Sequence, residues 1–100
     1  MPDLSKGAAF IDGDYVPVAE ASLPLLDWGF LHSDATYEVA HVWRGRFFRL
    51  DDYLDRFERS MAGLRMSLAY DRKGIRAVMC ELVRRSGLRD AYVEIICTRG

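Results

Sequence analysis

The sequence between residues 25 and 64 decides the fold, and it is LLDWGFLHSDATYEVAHVWRGRFFRLDDYLDRFERSMAGL. Residues 36–43 are rich in β-branched and aromatic types, which predicts a strand. Arg44-Gly45 predicts a tight turn, and residues 46–49 predict a second strand paired with the first. Apolar residues then recur at helical spacing as far as residue 64, so the stretch predicts strand, turn, strand and helix.

Within the predicted strand, the odd-numbered residues 37–43 share one face and the even-numbered residues 36–42 share the other. Both sets mix polar and apolar types, so we expect neither face to be wholly buried. Asp51 is the predicted N-cap of the helix. Tyr37 starts the strand and Arg56 lies in the helix, and we expect their polar side chains to meet at one cleft.

The segments before this stretch are a hairpin and an irregular connector. Asp12-Gly13 lies between two apolar runs and predicts the hairpin turn. Residues 18–26 have no clean period and predict an irregular connector. Residues 27–34 have two interpretations: a tight turn with its aromatic side chains in the core, or a loop at a cleft or a subunit interface.

The segments after residue 64 predict one more helix and one more strand. Apolar residues between 75 and 83 have helical spacing, and Gly87 is well placed to end that helix. Residues 92–98 predict the last strand, in which Tyr92 and Glu94 share a face. The fold class we expect is α+β, with two helices packed on a mainly antiparallel sheet that unites the hairpin, the 36–49 pair and the last strand.

Composition and charge exclude several classes of function. One hundred residues with 50% hydrophobic and 29% charged side chains fit one globular domain, and a net charge of -1 gives no polybasic signal for nucleic acid or an anionic membrane. No stretch approaches the ~20 apolar residues of a membrane span, and residues 1–7 do not resemble a secretory signal. Cys80 and Cys97 lie on different elements, and we expect reduced, buried thiols in a cytoplasmic protein.

Motifs for several kinds of chemistry are missing from the sequence. There is no glycine-rich phosphate loop of the Rossmann or Walker type. His32 and His41 are too isolated to form a metal site, so we expect none. Ser33 follows His32, but no second histidine is well placed to act as a base for a serine nucleophile.

A family resemblance rests on two neighbouring segments, residues 24–30 (PLLDWGF) and residues 33–39 (SDATYEV). Together they resemble the N-terminal, smaller domain of fold-class IV transaminases, which use pyridoxal 5′-phosphate. Members include branched-chain and D-amino-acid aminotransferases, (R)-selective amine transaminases and aminodeoxychorismate lyase. The similarity continues in the family's order through residues 45–52 (GRFFRLDD), 54–56 (LDR), 93–95 (VEI) and 98–100 (TRG).

The resemblance implies roles for particular residues. Arg56 matches the arginine that binds the cofactor phosphate, a role suited to a planar guanidinium fork. From the residues alone, a surface arginine paired with Asp52 one helical turn away is the favoured interpretation, and the matched segments reverse that preference. The positions that match the substrate pocket are Tyr37, Val39, Tyr92 and Glu94, together with His32 in a loop that enters the active site of the same or the partner subunit.

Glu94 also distinguishes between branches of the family. Branched-chain enzymes tend to carry an arginine there, which meets the substrate carboxylate, whereas an acid would repel it. We therefore expect an enzyme similar to the (R)-amine transaminases. The alternatives are a branched-chain or D-amino-acid aminotransferase, or an enzyme similar to aminodeoxychorismate lyase.

The catalytic lysine that the family requires has no match in this sequence. The two lysines, Lys6 and Lys73, lie in polar segments, and neither matches the lysine, which the family carries in its C-terminal domain. We therefore interpret residues 1–100 as the N-terminal domain of a longer enzyme, inactive alone. The complete enzyme is expected to be a homodimer that moves an amino group between an amine or amino acid and a keto acid. The alternative from another class is a non-catalytic binding module that kept the fold.

Overall fold

Two antiparallel sheets and three α-helices make up residues 6–100, the part of the chain that the computed structural model describes. The expectation about a secretory signal in residues 1–7 falls mainly outside the described residues. The elements in chain order are β1 (Ala8–Ile11), β2 (Asp14–Pro17), a 3₁₀ turn (Val18–Glu20), α1 (Trp28–His32), β3 (Ala35–Trp43), β4 (Arg46–Phe47), α2 (Leu50–Gly63), α3 (Arg72–Ser86) and β5 (Ala91–Thr98).

The larger sheet has the strand order β4-β3-β5, and both pairings are antiparallel. β3 pairs with β5 over eight residues, from Ala35 opposite Thr98 to Val42 opposite Ala91. β4 pairs only with Val42 and Trp43, so it covers only the last part of the other edge of β3. This arrangement of helices and antiparallel strands confirms the predicted α+β class.

The core lies between the even-numbered face of β3 and the two long helices. Ala40 and Val42 of β3 are buried, and α2 packs on this side of the sheet with Leu54 in one cluster with Ala40 and with Phe57 in a second cluster with Cys97 of β5. Met79 of α3 is buried in the same cluster as Ala40 and Leu54. The expectation that neither face of the strand would be buried was wrong for residues 38–42 of this face, because its charged residue, Glu38, is paired with an arginine, as described below.

The hairpin was predicted correctly, but its place in the fold was not. β1 and β2 pair around Asp12 and Gly13, which both adopt the positive φ of a tight turn, at 52° and 83°. They form a separate two-stranded sheet and do not join β3 and β5. β1 instead packs against α3, and a groove of about 1100 Å³ lies between the hairpin, α3 and β5.

Several predicted boundaries move by a few residues. The strand predicted over residues 46–49 ends at Phe47, because Arg49 adopts a left-handed conformation with φ of 54° and becomes the N-cap of α2. Asp51 is therefore not the N-cap and lies in the first turn, where the helix dipole favours negative charge. Gly87 ends α3 as predicted, again with positive φ.

The two cysteines differ in their surroundings. Cys97 is buried as expected, and burial raises the pKa of its thiol while the charge of Arg99 lowers it to a smaller extent. Cys80 lies on the solvent-exposed side of α3, so the expectation of two buried thiols was wrong for Cys80. Both cysteines are free, as predicted.

The segment Thr98-Arg99-Gly100 ties β5 to three other parts of the chain. The Thr98 hydroxyl donates to Asp27 Oδ2 at 3.0 Å, and the Trp28 N–H donates to the Gly100 carbonyl at 2.9 Å, which fixes the start of α1. Arg99 donates to both carboxylate oxygens of Asp34 and to the Leu64 carbonyl just after α2.

Among residues 6–100, no helix is long and apolar enough to cross a membrane.

Gly29 gives a steric test of the packing between α1 and β5. A Cβ atom at this position would lie 2.6 Å from Thr98 Cγ2 and 2.9 Å from Asp27 Oδ1, so Gly29→Ala forces the two elements apart. We expect a loss of about 1–3 kcal/mol in the free energy of unfolding, as for other overpacked sites. Gly63→Ala is the matched control, because nothing lies within 4 Å of its Cβ position and alanine favours a helix by up to about 1 kcal/mol. Urea unfolding of the two variants measures the difference, and equal stability would refute this packing.

Candidate active site

The outer face of the larger sheet carries four of the five residues that the resemblance assigns to a substrate pocket. β3 and β5 place Val39 opposite Glu94 and His41 opposite Tyr92, and directly opposed residues share one face of a sheet. Tyr37, opposite Ile96, extends the same face. We call these six residues the outer face.

The outer face is open to solvent although it is largely apolar and aromatic. Tyr37 is 62% exposed, Tyr92 is 75% exposed and Ile96 is 51% exposed. The His41 ring stacks on the Tyr92 ring with centroids 5.1 Å apart and an angle of 24° between the planes. Exposed aromatic groups in such a cluster are typical of a surface that binds a ligand or another part of a protein.

Arg56 lies on the opposite side of β3 and pairs with Glu38. Its Nε donates to Glu38 Oε2 at 2.6 Å and its Nη2 donates to Oε1 at 2.7 Å, which makes the pair bidentate. The Glu38 side chain is only 9% exposed, whereas the Arg56 side chain is 59% exposed. The pair thus reaches from the core to the surface, with the carboxylate inside and the guanidinium at the rim.

Two neighbours, Glu38 and Tyr53, stabilise the positive charge of Arg56. The hydrogen bonds and the negative charge of Glu38 raise the pKa of Arg56 above its ordinary value. The Arg56 guanidinium also lies 5.7 Å from the centre of the Tyr53 ring, within the range of a cation–π contact. Asp52, the partner that the helical spacing suggested, pairs instead with Arg49 at 2.6 Å.

Tyr37 and Arg56 therefore lie toward different faces of one strand. Tyr37 and Glu38 are neighbours in sequence, and a strand directs such neighbours to opposite faces. We expected the Tyr37 and Arg56 side chains to meet at one cleft. Within residues 6–100 they lie on opposite sides of β3 and do not meet. The edge of β3 is free of β4 pairing beside Glu38, since β4 reaches only Val42 and Trp43.

His32 lies on α1, at the end of the sheet where β3 starts and β5 finishes. Asp27 begins α1 by accepting a hydrogen bond from the Gly29 N–H at 2.8 Å, and Ser33 ends it with positive φ. The exposed His32 packs edge-on against the Trp28 ring, with centroids 4.8 Å apart. Trp28 and Phe30 are 52% and 65% exposed, so the interpretation of residues 27–34 as a turn with its aromatic side chains in the core was wrong.

The outer face is one wall and not an enclosed pocket. The groove beside the hairpin is bordered by Tyr92 and Glu94, but Tyr37, Val39 and Arg56 do not line it. A small molecule bound in a pocket usually loses most of its surface to the protein, and a single sheet face does not provide that.

The lysines and the possible metal ligands of the described residues do not complete a catalytic centre. Lys6 and Lys73 are both exposed, whereas a lysine that acts as a nucleophile or base needs desolvation or neighbouring cations. Residues 6–100 contain no group of three His, Cys, Asp or Glu side chains able to hold a metal ion.

Residues 35–100, which run from the start of β3 to the end of the chain, match the family model described as Amino-transferase class IV. This match covers about two-thirds of the chain and includes Arg56 and all six residues of the outer face. The chain belongs to the class IV aminotransferase family.

Two curated relatives of this class IV chain show how much of a family member it represents. A putative branched-chain-amino-acid aminotransferase of Methanocaldococcus jannaschii is 29% identical over 91 residues, which are 91% of this chain and 32% of the relative. A D-alanine aminotransferase of Staphylococcus haemolyticus is 28% identical over 91 residues, again 32% of its length. The chain thus spans about a third of the length of these curated relatives.

Solved structures confirm the fold of the class IV chain. A branched-chain amino acid aminotransferase complexed with N-(5'-phosphopyridoxyl)-L-glutamate matches 98% of this chain and 35% of its own, with a TM-score of 0.87 and 24% identity. The branched-chain aminotransferase of the thermophilic archaeon Thermoproteus uzoniensis matches 94% of this chain and 33% of its own, with a TM-score of 0.82 and 23% identity. At this level of identity the likeness shows the fold, which is that of a class IV aminotransferase.

Sequence reasoning missed the partner of Arg56 and two members of the outer face. Glu38 was placed on the correct face of the strand, but no local spacing links it to Arg56, which lies 18 residues away. His41 and Ile96 were also placed on strand faces. Alternation already put His41 on the face of Tyr37 and Val39. The register of β3 with β5 adds that Ile96 lies opposite Tyr37 on that same face.

Arg56→Ala tests whether Glu38 depends on its partner. The variant leaves a buried carboxylate without a counter-charge, so we expect a clear fall in the urea midpoint of unfolding at pH 7. Arg59→Ala removes an exposed arginine from the same helix, one with no ion partner among residues 6–100, and should change the midpoint little. Equal midpoints for the two variants at pH 7 would contradict the pairing.

Proposed function

We propose that the natural gene product containing this sequence is a pyridoxal 5′-phosphate-dependent aminotransferase, and that residues 1–100 form its N-terminal domain. The observation that carries this proposal is the state of Arg56, whose guanidinium is held on one edge by Glu38 and is exposed to solvent. A guanidinium has five N–H groups, and Glu38 takes two of them. Within residues 6–100, no acceptor meets the other three, and a phosphate monoester offers the oxygens that fit them.

The residues of this chain would bind and orient the reactants. Arg56 would hold the phosphate of the cofactor, and the outer face would form one wall of the substrate pocket through Tyr37, Val39, Tyr92 and Glu94. Bound pyridoxal 5′-phosphate supplies the carbonyl group that accepts the amino group and the electron sink that stabilises negative charge beside it. His32, on α1 at the end of the sheet, would border the entrance of this or a partner's site.

The catalytic lysine is proposed to come from a further domain of the natural product. Lys6 and Lys73 are exposed and lack the surroundings of a reactive lysine, and the chain spans only about a third of its curated relatives. The same domain would supply the second wall over the outer face. The product is proposed to act in the cytoplasm, because thiols there are kept reduced and both cysteines of this chain are free.

A homodimer is proposed from the connector that leads into α1. Leu25 and Leu26 are 71% and 75% exposed and are followed by the exposed Trp28 and Phe30. An apolar patch of this kind is usually covered by another surface. In a dimer the partner subunit would cover it.

The proposal that this product is a cofactor-dependent enzyme is tested by trapping the cofactor. The natural product, purified from its source, is incubated with pyridoxal 5′-phosphate, reduced with borohydride and weighed intact. We expect a chain well above 11.4 kDa with one stoichiometric adduct on a lysine other than Lys6 and Lys73, and a dimer in the native mass spectrum of the same sample. An 11.4 kDa chain with no adduct, or with partial adducts scattered over Lys6, Lys73 and the N-terminus, would refute catalysis and favour a binding module.

We propose that the preferred amino donor lacks a carboxylate beside its amine, as in an (R)-selective amine transaminase. Glu94 supports this proposal, because it is an exposed acid on the outer face opposite Val39, where a substrate carboxylate would be repelled. The names of the relatives support the alternative, in which the donor is a branched-chain or D-amino acid. A lyase that resembles aminodeoxychorismate lyase is a third possibility, which product analysis separates from the other two.

Glu94→Gln tests the choice of donor in the natural product. The donors are 1-phenylethylamine and phenylglycine of matching configuration, which differ by a methyl group against a carboxylate. Loss of a charge about 4 Å away is worth about 1 kcal/mol in water, so we expect kcat/KM for phenylglycine relative to the amine to rise about fivefold. Glu58→Gln, an exposed acid on α2 across the sheet, is the control and should leave the ratio unchanged. An unchanged ratio in Glu94→Gln would refute a role for Glu94 in donor choice.

A further inference from the structure

Glu38 is the one charged residue that is buried among residues 6–100. A buried carboxylate is costly to keep, and replacing such an ion pair by apolar residues is often neutral or stabilising. The pair is therefore poorly explained by stability alone. Its geometry, with two short and parallel N–H···O bonds, instead offers a fixed orientation for the arginine.

The effect of this geometry is on the free edge of the Arg56 guanidinium. Glu38 holds the edge formed by Nε and Nη2, which leaves both N–H groups of Nη1 and one of Nη2. Because the guanidinium is planar, holding one edge also sets the direction of the other edge. An arginine free to rotate loses side-chain entropy when it becomes fixed, and Glu38 removes much of that freedom before a ligand arrives.

The charge of Glu38 works in the other direction. A carboxylate beside the guanidinium brings the net charge of the pair to zero and weakens its long-range attraction for an anion. A site that used only positive charge to bind phosphate would be better without Glu38. What Glu38 adds for a phosphate ligand is the direction of the donors.

We propose that Glu38 is a positioning residue for the phosphate of the cofactor, and that it acts by fixing the free edge of Arg56. This inference rests on the proposed function, because it takes Arg56 as the phosphate ligand. Glu38 is buried and both of its carboxylate oxygens accept from Arg56, so its effect on a ligand would pass through Arg56. It should therefore be felt only by ligands that carry the phosphate.

The test is a mutant cycle on the binding of the cofactor to the natural gene product. The variants are Glu38→Gln, Arg56→Ala and the double variant, and the ligands are pyridoxal 5′-phosphate and pyridoxal, which lacks the phosphate. Dissociation constants are measured from absorbance and fluorescence, with folding checked by circular dichroism. Glu58→Gln is the matched control, because it changes an exposed acid on α2. Competition by inorganic phosphate gives a second readout that involves no catalysis.

We expect Glu38→Gln to weaken the binding of pyridoxal 5′-phosphate about tenfold, since the amide keeps only one acceptor and releases the guanidinium plane. The binding of pyridoxal should not change, and Glu38→Gln should have no further effect once Arg56 is alanine. Inorganic phosphate should likewise compete less well in Glu38→Gln.

Two results would overturn the positioning role, and only the first leaves the phosphate-binding role of Arg56 in the proposed function intact. One is unchanged or tighter binding of the phosphate-bearing cofactor in Glu38→Gln with weaker binding in Arg56→Ala, which would make Glu38 a purely structural partner. The other is unchanged binding in both variants, which would place the phosphate away from Arg56. If the unaltered product binds no pyridoxal 5′-phosphate, the proposed function fails and this inference fails with it.

Discussion

The ion pair between Glu38 and Arg56 allows the face of β3 that carries a carboxylate to lie in the core. A domain of this size has one modest core, and a lone carboxylate inside it would be costly. With Arg56 on α2 supplying the counter-charge, the even-numbered face of β3 can pack against the helix through Ala40 and Val42. The odd-numbered face, with its tyrosine and valine, is thereby left outward. The pair thus links α2 to the buried face of β3, on the side of the sheet opposite the outer face.

A second constraint acts at the end of β5. Arg99 binds Asp34 and the Leu64 carbonyl, and Thr98 binds Asp27, so the last strand joins the start of α1, the start of β3 and the end of α2. These contacts hold α1, which carries His32, at the same end of the sheet as Tyr37. The outer face and α1 are in this way fixed relative to each other by residues that belong to neither.

Much of this arrangement follows from local patterns in the sequence. Alternation in residues 36–43 shows which residues share a strand face, and Gly87 and Asp12-Gly13 mark a helix end and a turn through their backbone freedom. Local patterns do not show which face is buried, because that depends on Glu38 finding a partner 18 residues away. They also do not show that the hairpin forms its own sheet. That depends on long-range contacts, because β1 packs against α3 and does not pair with β5.

The candidate site was predictable to a similar extent. Family resemblance pointed to Arg56, Tyr37 and Glu94, and the register of β3 with β5 brings Tyr37 and Glu94 onto one face together with His41 and Ile96. The place of Arg56 across the strand was not predictable from spacing. A helical period suggests Asp52 as its partner, but Arg49 takes Asp52 once it adopts the left-handed conformation that starts α2.

A crystal structure of the natural gene product with bound pyridoxal 5′-phosphate tests this view of the domain most directly. We expect phosphate oxygens within about 3 Å of Arg56 Nη1, with Glu38 still bound to Nε and with the outer face in contact with the cofactor or substrate. A phosphate held by other residues, with Arg56 directed only to Glu38 and solvent, would show that the pair serves the core alone and that the binding role assigned to Arg56 is wrong.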